Sequence, residues 1–178
     1  MSSLRNDPPL AASEVDTLRA YLDYHRDTLR IKTEGLGQEQ LARRHPPSEL
    51  TLGGLLKHPA LNEDWWFVRV LEGRESEPDW VPAGAFDHDQ DWDLTSAAAD
   101  DPDEQRRIFD TSRSDANAAI DRALGKNGLD TASVRTSRRE QGQAFTLRWI
   151  LLHVIEEYAR HNGHAYLLRE AIDGTVGE

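Results

Sequence analysis

A long amphipathic helix is predicted by the stretch Leu147-Arg-Trp-Ile-Leu-Leu-His153-Val-Ile-Glu-Glu157-Tyr-Ala-Arg-His161-Asn-Gly-His164. Thr146 is placed to start this helix and Gly174 to stop it, so that it spans roughly 146–172. Side chains three and four residues apart lie above one another on a helix. The three histidines and Glu157 therefore project from one side, which is the pattern of a ligand set for an ion.

Three more segments have helical apolar spacing and recognisable ends. Ser13 is the expected N-cap of the first, and Asp101-Pro102 supplies the N-cap and first position of the third. Pro59 lies within the second segment, where it predicts an interruption and a kink directly after His58. The predicted ranges are roughly 13–34, 51–72 and 102–124.

The connections between these helices contain few strand signals. Residues 74–101 are acidic and rich in turn formers, with Trp80, Phe86 and Trp92 as isolated anchors, as in a packed crossover. Residues 126–145 are polar and only weakly indicate a short hairpin. Four amphipathic helices bury their apolar faces most simply as a bundle. We therefore expect residues 1–178 to form one all-α domain, a four-helix bundle.

Composition excludes several classes of function. The 178 residues contain no cysteine, so disulfides, thiolate metal sites and a cysteine nucleophile are excluded. A formal net charge of −11 disfavours nucleic acids and anionic membranes as partners. The sequence has no apolar run of about 20 residues that could cross a bilayer, and its first residues do not resemble a secretory signal. These features predict a cytoplasmic protein.

A metal site is the chemistry that the predicted helices favour. Glu157 and His161 are four residues apart and meet at one point of the last helix, while His58 lies on the otherwise apolar second helix. Two histidines and a carboxylate leave coordination positions open, as in catalytic sites. Zinc is the first choice, and nickel, iron and manganese are compatible. A surface ion pair between Glu157 and His161 is the alternative.

Other residues have two interpretations each. His153 and His164 either support the metal site, by orienting a ligand or carrying a proton, or pack as ordinary helix residues. The aromatic run from Trp65 to Phe67 either fills the core or provides one wall of a pocket beside His58. The loop arginines either are solvated or hold an anionic substrate; they are Arg135, Arg138 and Arg139. Three further histidines are expected to be solvated: His25, His45 and His88.

Two motifs resemble the DinB-like superfamily, and in particular its branch labelled mycothiol transferase. They are Leu52-Gly-Gly-Leu-Leu-Lys-His58 followed by Glu63-Asp-Trp-Trp-Phe67, and the stretch 147–170 followed by Ile172-Asp-Gly174. The resemblance spans nearly the whole chain. It implies a bundle of up-up-down-down type with a long crossover and a three-ligand metal site. The His-Glu-His triad of the related mycothiol-dependent maleylpyruvate isomerases falls on His58, Glu157 and His161, although Pro59 replaces the leucine that commonly follows the first histidine.

The resemblance favours a divalent-metal-dependent thiol S-transferase. A bound Zn²⁺ deprotonates a coordinating thiol near neutral pH, and the thiolate is the nucleophile. Because the chain lacks cysteine, the thiol is expected to be a cosubstrate such as mycothiol, with Trp65, Arg138 and Arg139 as its candidate contacts. A metal-dependent hydrolase and a non-catalytic bundle that binds a small molecule or a metal remain alternatives. The resemblance also implies a homodimer.

Overall fold

The computed structural model describes residues 5–177, which form a predominantly helical protein. The helices are α1 (Glu14–Thr33), α2 (Gln38–Leu41), α3 (Leu52–Glu63), α4 (Trp92–Thr95), α5 (Pro102–Asn127) and α6 (Leu147–Asp173). A π-helical segment, Asp64–Leu71, continues α3. Two short antiparallel strands, β1 (Ala132–Thr136) and β2 (Ala144–Thr146), form a hairpin before α6. The all-α bundle predicted from the sequence is confirmed, and the weakly indicated hairpin is present.

Side-chain caps explain where the long helices begin. Ser13, Thr51, Asp101 and Thr146 each accept a hydrogen bond from a backbone N–H two or three residues further along the chain. These bonds satisfy donors that the first turn of a helix leaves without a partner. The predicted starts of the helices therefore agree with the structure to within a residue or two.

The second predicted helix differs from expectation. The predicted interruption at Pro59 is not observed, because α3 continues through this residue to Glu63. The helix type changes only at Asp64, where the π-helical segment begins. Pro59 removes one backbone hydrogen bond, and the surrounding helix is held by fully buried neighbours such as Leu55 and Leu56. Packing of the apolar face outweighs the loss of that bond.

The four long helices run up, down, down and up. Contacts near both ends of each helix pair give these directions: Glu14–Arg148 and Lys32–Arg169 for α1 and α6, His58–His161 and Trp66–His153 for α3 and α6, Arg19–Asp121 and Arg30–Asp110 for α1 and α5. Helices α1 and α6 are thus parallel, and α3 and α5 run against them. The up-up-down-down order implied by the resemblance is wrong in its directions. Helices α3 and α5 are therefore parallel to each other. The longest connection of the bundle joins these two, because a parallel pair needs a crossover that returns along the bundle.

The crossover between the π-helical segment and α5 packs onto α3 through its aromatic anchors. Trp92 at the start of α4 stacks on Trp80 with ring centroids 6.4 Å apart, and Phe86 meets it edge-on at 5.6 Å. The Lys57 ammonium lies 4.1 Å above the Trp92 ring. These contacts fix α4 beside the middle of α3, next to His58. No helix in the described part of the chain is long and apolar enough to span a membrane.

Candidate metal centre

Helices α3 and α6 bring together the three predicted metal ligands. His58, Glu157 and His161 each offer a ligand atom, and these atoms all lie within 4.8 Å of one another. The His58 and His161 rings meet edge-on with centroids 4.9 Å apart. Their side chains are mostly shielded, with exposed fractions of 30% for His58, 17% for Glu157 and 13% for His161. The geometry agrees with the sequence interpretation, and the ligand role itself stays a prediction.

His161 is the residue whose surroundings fit a cation best. Both of its ring nitrogens are buried, and neither has a hydrogen-bond partner among residues 5–177. The nearest carboxylate oxygen, Glu157 Oε2, is 3.4 Å from His161 Nε2, and the two form no hydrogen bond. Burial, and then the neighbouring His58, lower the pKa of His161. The neutral imidazole is the form that binds metals, and an ion would satisfy a buried nitrogen that is otherwise costly to leave without a partner.

The crossover holds His58 through Asp93, a residue that the sequence interpretation missed. Asp93 is buried on α4, and His58 Nδ1 lies 2.6 Å from its Oδ2 atom. An ionised carboxylate only accepts hydrogen bonds, so Nδ1–H is the donor and the Nε2 lone pair stays free. A carboxylate that fixes the tautomer of a histidine is the usual support of a metal ligand. The one sequence signal was that Asp93 follows the anchor Trp92.

Glu157 is oriented from within α6. Arg160 donates to Glu157 Oε1 at 3.0 Å and also contacts Glu156. With Oε1 engaged, Oε2 is the oxygen nearer His161. Arg160 is half-exposed, so its charge is screened by water and the bond contributes mainly to orientation.

The other two histidines of α6 lie outside the three-donor cluster. The His153 ring stacks on Trp149 at 5.0 Å between centroids and meets Trp66 edge-on at 4.7 Å. It also offers a ligand atom near those of Glu156 and Glu157. His164 is exposed, and its ring centroid is 6.1 Å from that of His161. Both positions are compatible with supporting roles, which stay predictions.

A cavity of about 350 Å³ opens beside His58. Trp65 forms one wall of it and is 39% exposed, whereas Phe67 is fully buried in the core. The predicted arginines Arg138 and Arg139 are exposed in the turn between β1 and β2, outside the lining of this cavity. Its lining instead includes five residues that the sequence interpretation did not place at the site: Leu61, Asn62, Arg69, Glu77 and Phe86.

The remaining histidines were expected to be solvated, and His25 is not. It is half-buried where α1 packs on α6, and the Asn162 side chain donates to its carbonyl oxygen at 3.0 Å. Burial, and then the nearby Arg5, lower the pKa of His25. The expectation is wrong because the face of α1 that carries His25 packs against α6. His45 and His88 are exposed as predicted.

The model of the mycothiol S-transferase family matches residues 17–174 of the chain. The match extends from the first turn of α1 to the residue after α6, and it includes His58, Asp93, Glu157 and His161. No curated protein matches the chain. Because the family model covers most of the sequence, the chain belongs to the mycothiol S-transferase family, which is a DinB-like family.

Proposed function

We propose that this protein is a divalent-metal-dependent S-transferase that joins the thiol of mycothiol to a small electrophile. The observation that carries the metal dependence is the pair of buried His161 ring nitrogens without hydrogen-bond partners among the described residues, within 4.8 Å of donor atoms of His58 and Glu157. Membership of the mycothiol S-transferase family supports the thiol and the transfer reaction.

His58, Glu157 and His161 are the proposed ligands, with Asp93 holding the His58 ring in the productive tautomer. Two imidazoles and one carboxylate suit Zn²⁺ and leave a position open; nickel, iron and manganese are the other ions that this donor set accepts. Such an ion keeps a thiol in its thiolate form near neutral pH. The exposed His164 and the stacked His153 are the proposed proton carriers or supports, as geometry beside the donors allows.

The transfer is a substitution at an electrophilic carbon. The thiolate sulfur forms the new S–C bond, the leaving group departs with the electron pair of its broken bond, and the thiol proton passes to solvent. The chain contains no cysteine, so the sulfur comes from the cosubstrate. Trp65 and the exposed pair Arg138 and Arg139 are the proposed contacts of the bound molecules. A cytoplasmic location and a homodimer complete the proposal, and light scattering tests the dimer.

Metal analysis tests the first half of this proposal. Purified protein reconstituted with Zn²⁺ and freed of excess ion is expected to retain one ion per chain. His161→Ala is expected to weaken binding more than about 100-fold, since even residues that only orient a ligand contribute 10-fold to 100-fold. His88→Ala removes an exposed histidine and is the matched control. Wild-type protein without stoichiometric metal after reconstitution would contradict the proposal.

Thiol consumption tests the second half. With mycothiol and chlorodinitrobenzene as the substrates, the zinc-loaded protein is expected to accelerate conjugation above the uncatalysed rate, and a chelator is expected to remove the acceleration. His58→Ala and His161→Ala should behave like the chelated protein, whereas His88→Ala should behave like wild type. Metal binding without mycothiol-dependent turnover of any electrophile would contradict transfer and favour a hydrolase.

A further inference from the structure

One face of the helix formed by α3 and the π-helical segment provides the floor of the cavity beside His58. His58, Asn62, Trp65 and Arg69 lie on it at intervals of four, three and four residues, and all of them line the cavity. Helical side chains tilt towards the N-terminus of their helix, so the Arg69 side chain extends back over Trp65 in the direction of His58. Its guanidinium carbon is 4.8 Å from the Trp65 ring centroid.

Arg69 is a cation with incomplete pairing. Its side chain is 13% exposed, and its Nε atom is buried without a hydrogen-bond partner among the residues that the structure describes. Its ion-pair contact is long, 3.5 Å from Nη1 to Oε1 of Glu77, a partly exposed loop residue. The adjacent Asp64 carboxylate accepts from Arg74 through Oδ1; its charge also interacts with that of Arg69, but the structure shows no hydrogen bond between Asp64 and Arg69. A guanidinium has five donors in a planar fork that matches a carboxylate, so Arg69 has donors available for a ligand.

Apart from His58, Asn62 and Glu77, the rest of the cavity lining is apolar. Leu61 and Phe86 line it together with Trp65. Phe86 is held in place by its edge-on contact with Trp92, the residue before Asp93. Aromatic rings on the walls and a single cation suit a ligand with an apolar or aromatic body and one anionic group.

We infer that this cavity binds the electrophile and selects molecules that carry a carboxylate, with Arg69 donating to that carboxylate and Trp65 and Phe86 contacting the apolar body. The inference rests on the proposed S-transferase function and names its substrate class. Glu77 competes with the ligand for Arg69 and weakens its binding. The reacting carbon then lies at the His58 end of the cavity.

Two electrophiles that differ only in a carboxylate test this selection. Benzyl chloride and 4-(chloromethyl)benzoate both react with the mycothiol thiolate by forming an S–C bond and releasing chloride, while the thiol proton goes to solvent. With the zinc-loaded protein, kcat/KM for the acid is expected to exceed that for the neutral compound by about 10-fold to 100-fold after correction for the uncatalysed rates, the range of one charge-assisted contact.

Removing the positive charge of Arg69 and removing the negative charge of Glu77 should change the acid-to-neutral ratio of kcat/KM in opposite directions. Arg69→Gln is expected to reduce the acid-to-neutral ratio to about that of the uncatalysed reactions, whereas Glu77→Gln should raise the ratio several-fold, as expected when a competing charge is removed. Arg107→Gln removes an exposed arginine of α5 and should leave the ratio unchanged. If Arg69→Gln does not fold, the sign of the Glu77→Gln effect still decides. A ratio that neither cavity variant changes would overturn the inference.

Equilibrium binding separates this inference from the proposed function. Calorimetry with the unreactive 4-methylbenzoate is expected to give binding to both zinc-loaded and metal-free protein, weakened about 10-fold or more by Arg69→Gln in each. Binding that is lost in the metal-free protein and unchanged by Arg69→Gln would overturn the inference, because the carboxylate would then bind the ion and not Arg69. Turnover of both electrophiles at equal efficiency would also overturn it and leave the transferase intact. Absence of all turnover would contradict the transferase, while the calorimetry would still decide the cavity.

Discussion

Helices α3 and α6 carry two polar clusters, one buried and one partly buried, and the clusters differ in whether their hydrogen bonds are complete. In the first, Glu63 of α3 accepts two bonds from Arg26 of α1, at 2.8 and 2.6 Å, and one from the Tyr158 hydroxyl of α6 at 2.5 Å. All three side chains are about 1% exposed. In the second, His58 and His161 meet Glu157, and the nitrogens of His161 have no hydrogen-bond partner among the described residues.

The contrast indicates which cluster serves stability and which serves chemistry. A buried charge is tolerated when every lone pair and proton has a partner, and the Glu63 cluster meets that condition within the chain. The His161 cluster does not meet it among the described residues, and an added ion would provide a partner for one of the two His161 nitrogens. Since native proteins satisfy nearly all buried polar groups, the incomplete cluster is where an ion is expected to bind. The two clusters should therefore respond independently to mutation.

Substitution of Arg26 is expected to have the largest effect, a loss of folding stability, and it tests the Glu63 cluster. Arg26→Ala leaves the Glu63 carboxylate buried beside Tyr158 without its cation, which typically destabilises a protein by about 3–5 kcal/mol. Urea unfolding in the presence of a chelator measures this. In the same medium, His161→Ala should change the free energy of unfolding by much less, because His161 makes no hydrogen bond to lose. Equal destabilisation by both substitutions would break the distinction between the clusters.

Substitution of Asp93 is expected to have the next largest effect, which is a loss of metal affinity and not a loss of folding stability. Asp93→Asn keeps the size of the side chain but replaces the carboxylate that accepts from His58 Nδ1 with a neutral amide. The expected loss of zinc affinity is about 10-fold to 100-fold, as for other residues that orient a metal-bound histidine. Competition with a chromophoric chelator measures it. Asp91→Asn, at an exposed position of the same segment, is the control; a similar loss there would remove the specific role of Asp93.

The sequence predicted the part of the site that lies on regular helix. Glu157 and His161 could be paired from their spacing on α6, and His58 stood out as a histidine on an apolar helix. Asp93 and Arg69 could not be paired with the site in this way. Asp93 reaches His58 through a crossover whose path depends on aromatic packing. Arg69 has the helical spacing of the residues beside His58, but the cavity that it borders forms only where the crossover residues Glu77 and Phe86 complete the lining.

Two predictions about the bundle were wrong, the interruption at Pro59 and the directions of the helices. The α-helix continues through Pro59 because the buried residues around it fix the backbone, and no local propensity rule includes that packing. The predicted directions of the helices were those that the resemblance implies. The longest connection lies between the second and third helices, and this position alone favours a parallel arrangement of those two. Arg26 was overlooked because a charged residue on the apolar face of a helix becomes intelligible only when its partner Glu63 is located in space.

Tyr158 gives the smallest effect and the sharpest test, because it follows Glu157 directly in α6. Consecutive residues of an α-helix point about 100° apart, so Tyr158 reaches Glu63 while Glu157 faces His161. Burial, and then the Glu63 charge, raise the pKa of the tyrosine far above its usual value, so its hydroxyl remains a donor.

Tyr158→Phe removes one hydrogen bond to a charged group and should lower the free energy of unfolding by about 1.5 kcal/mol. Urea unfolding in the presence of a chelator measures this change. Zinc affinity should change by less than about 2-fold, as for sites that share no partner. A loss of affinity as large as that of Asp93→Asn would mean that the two clusters act as one network, coupled through elements that they share, such as α3 and α6.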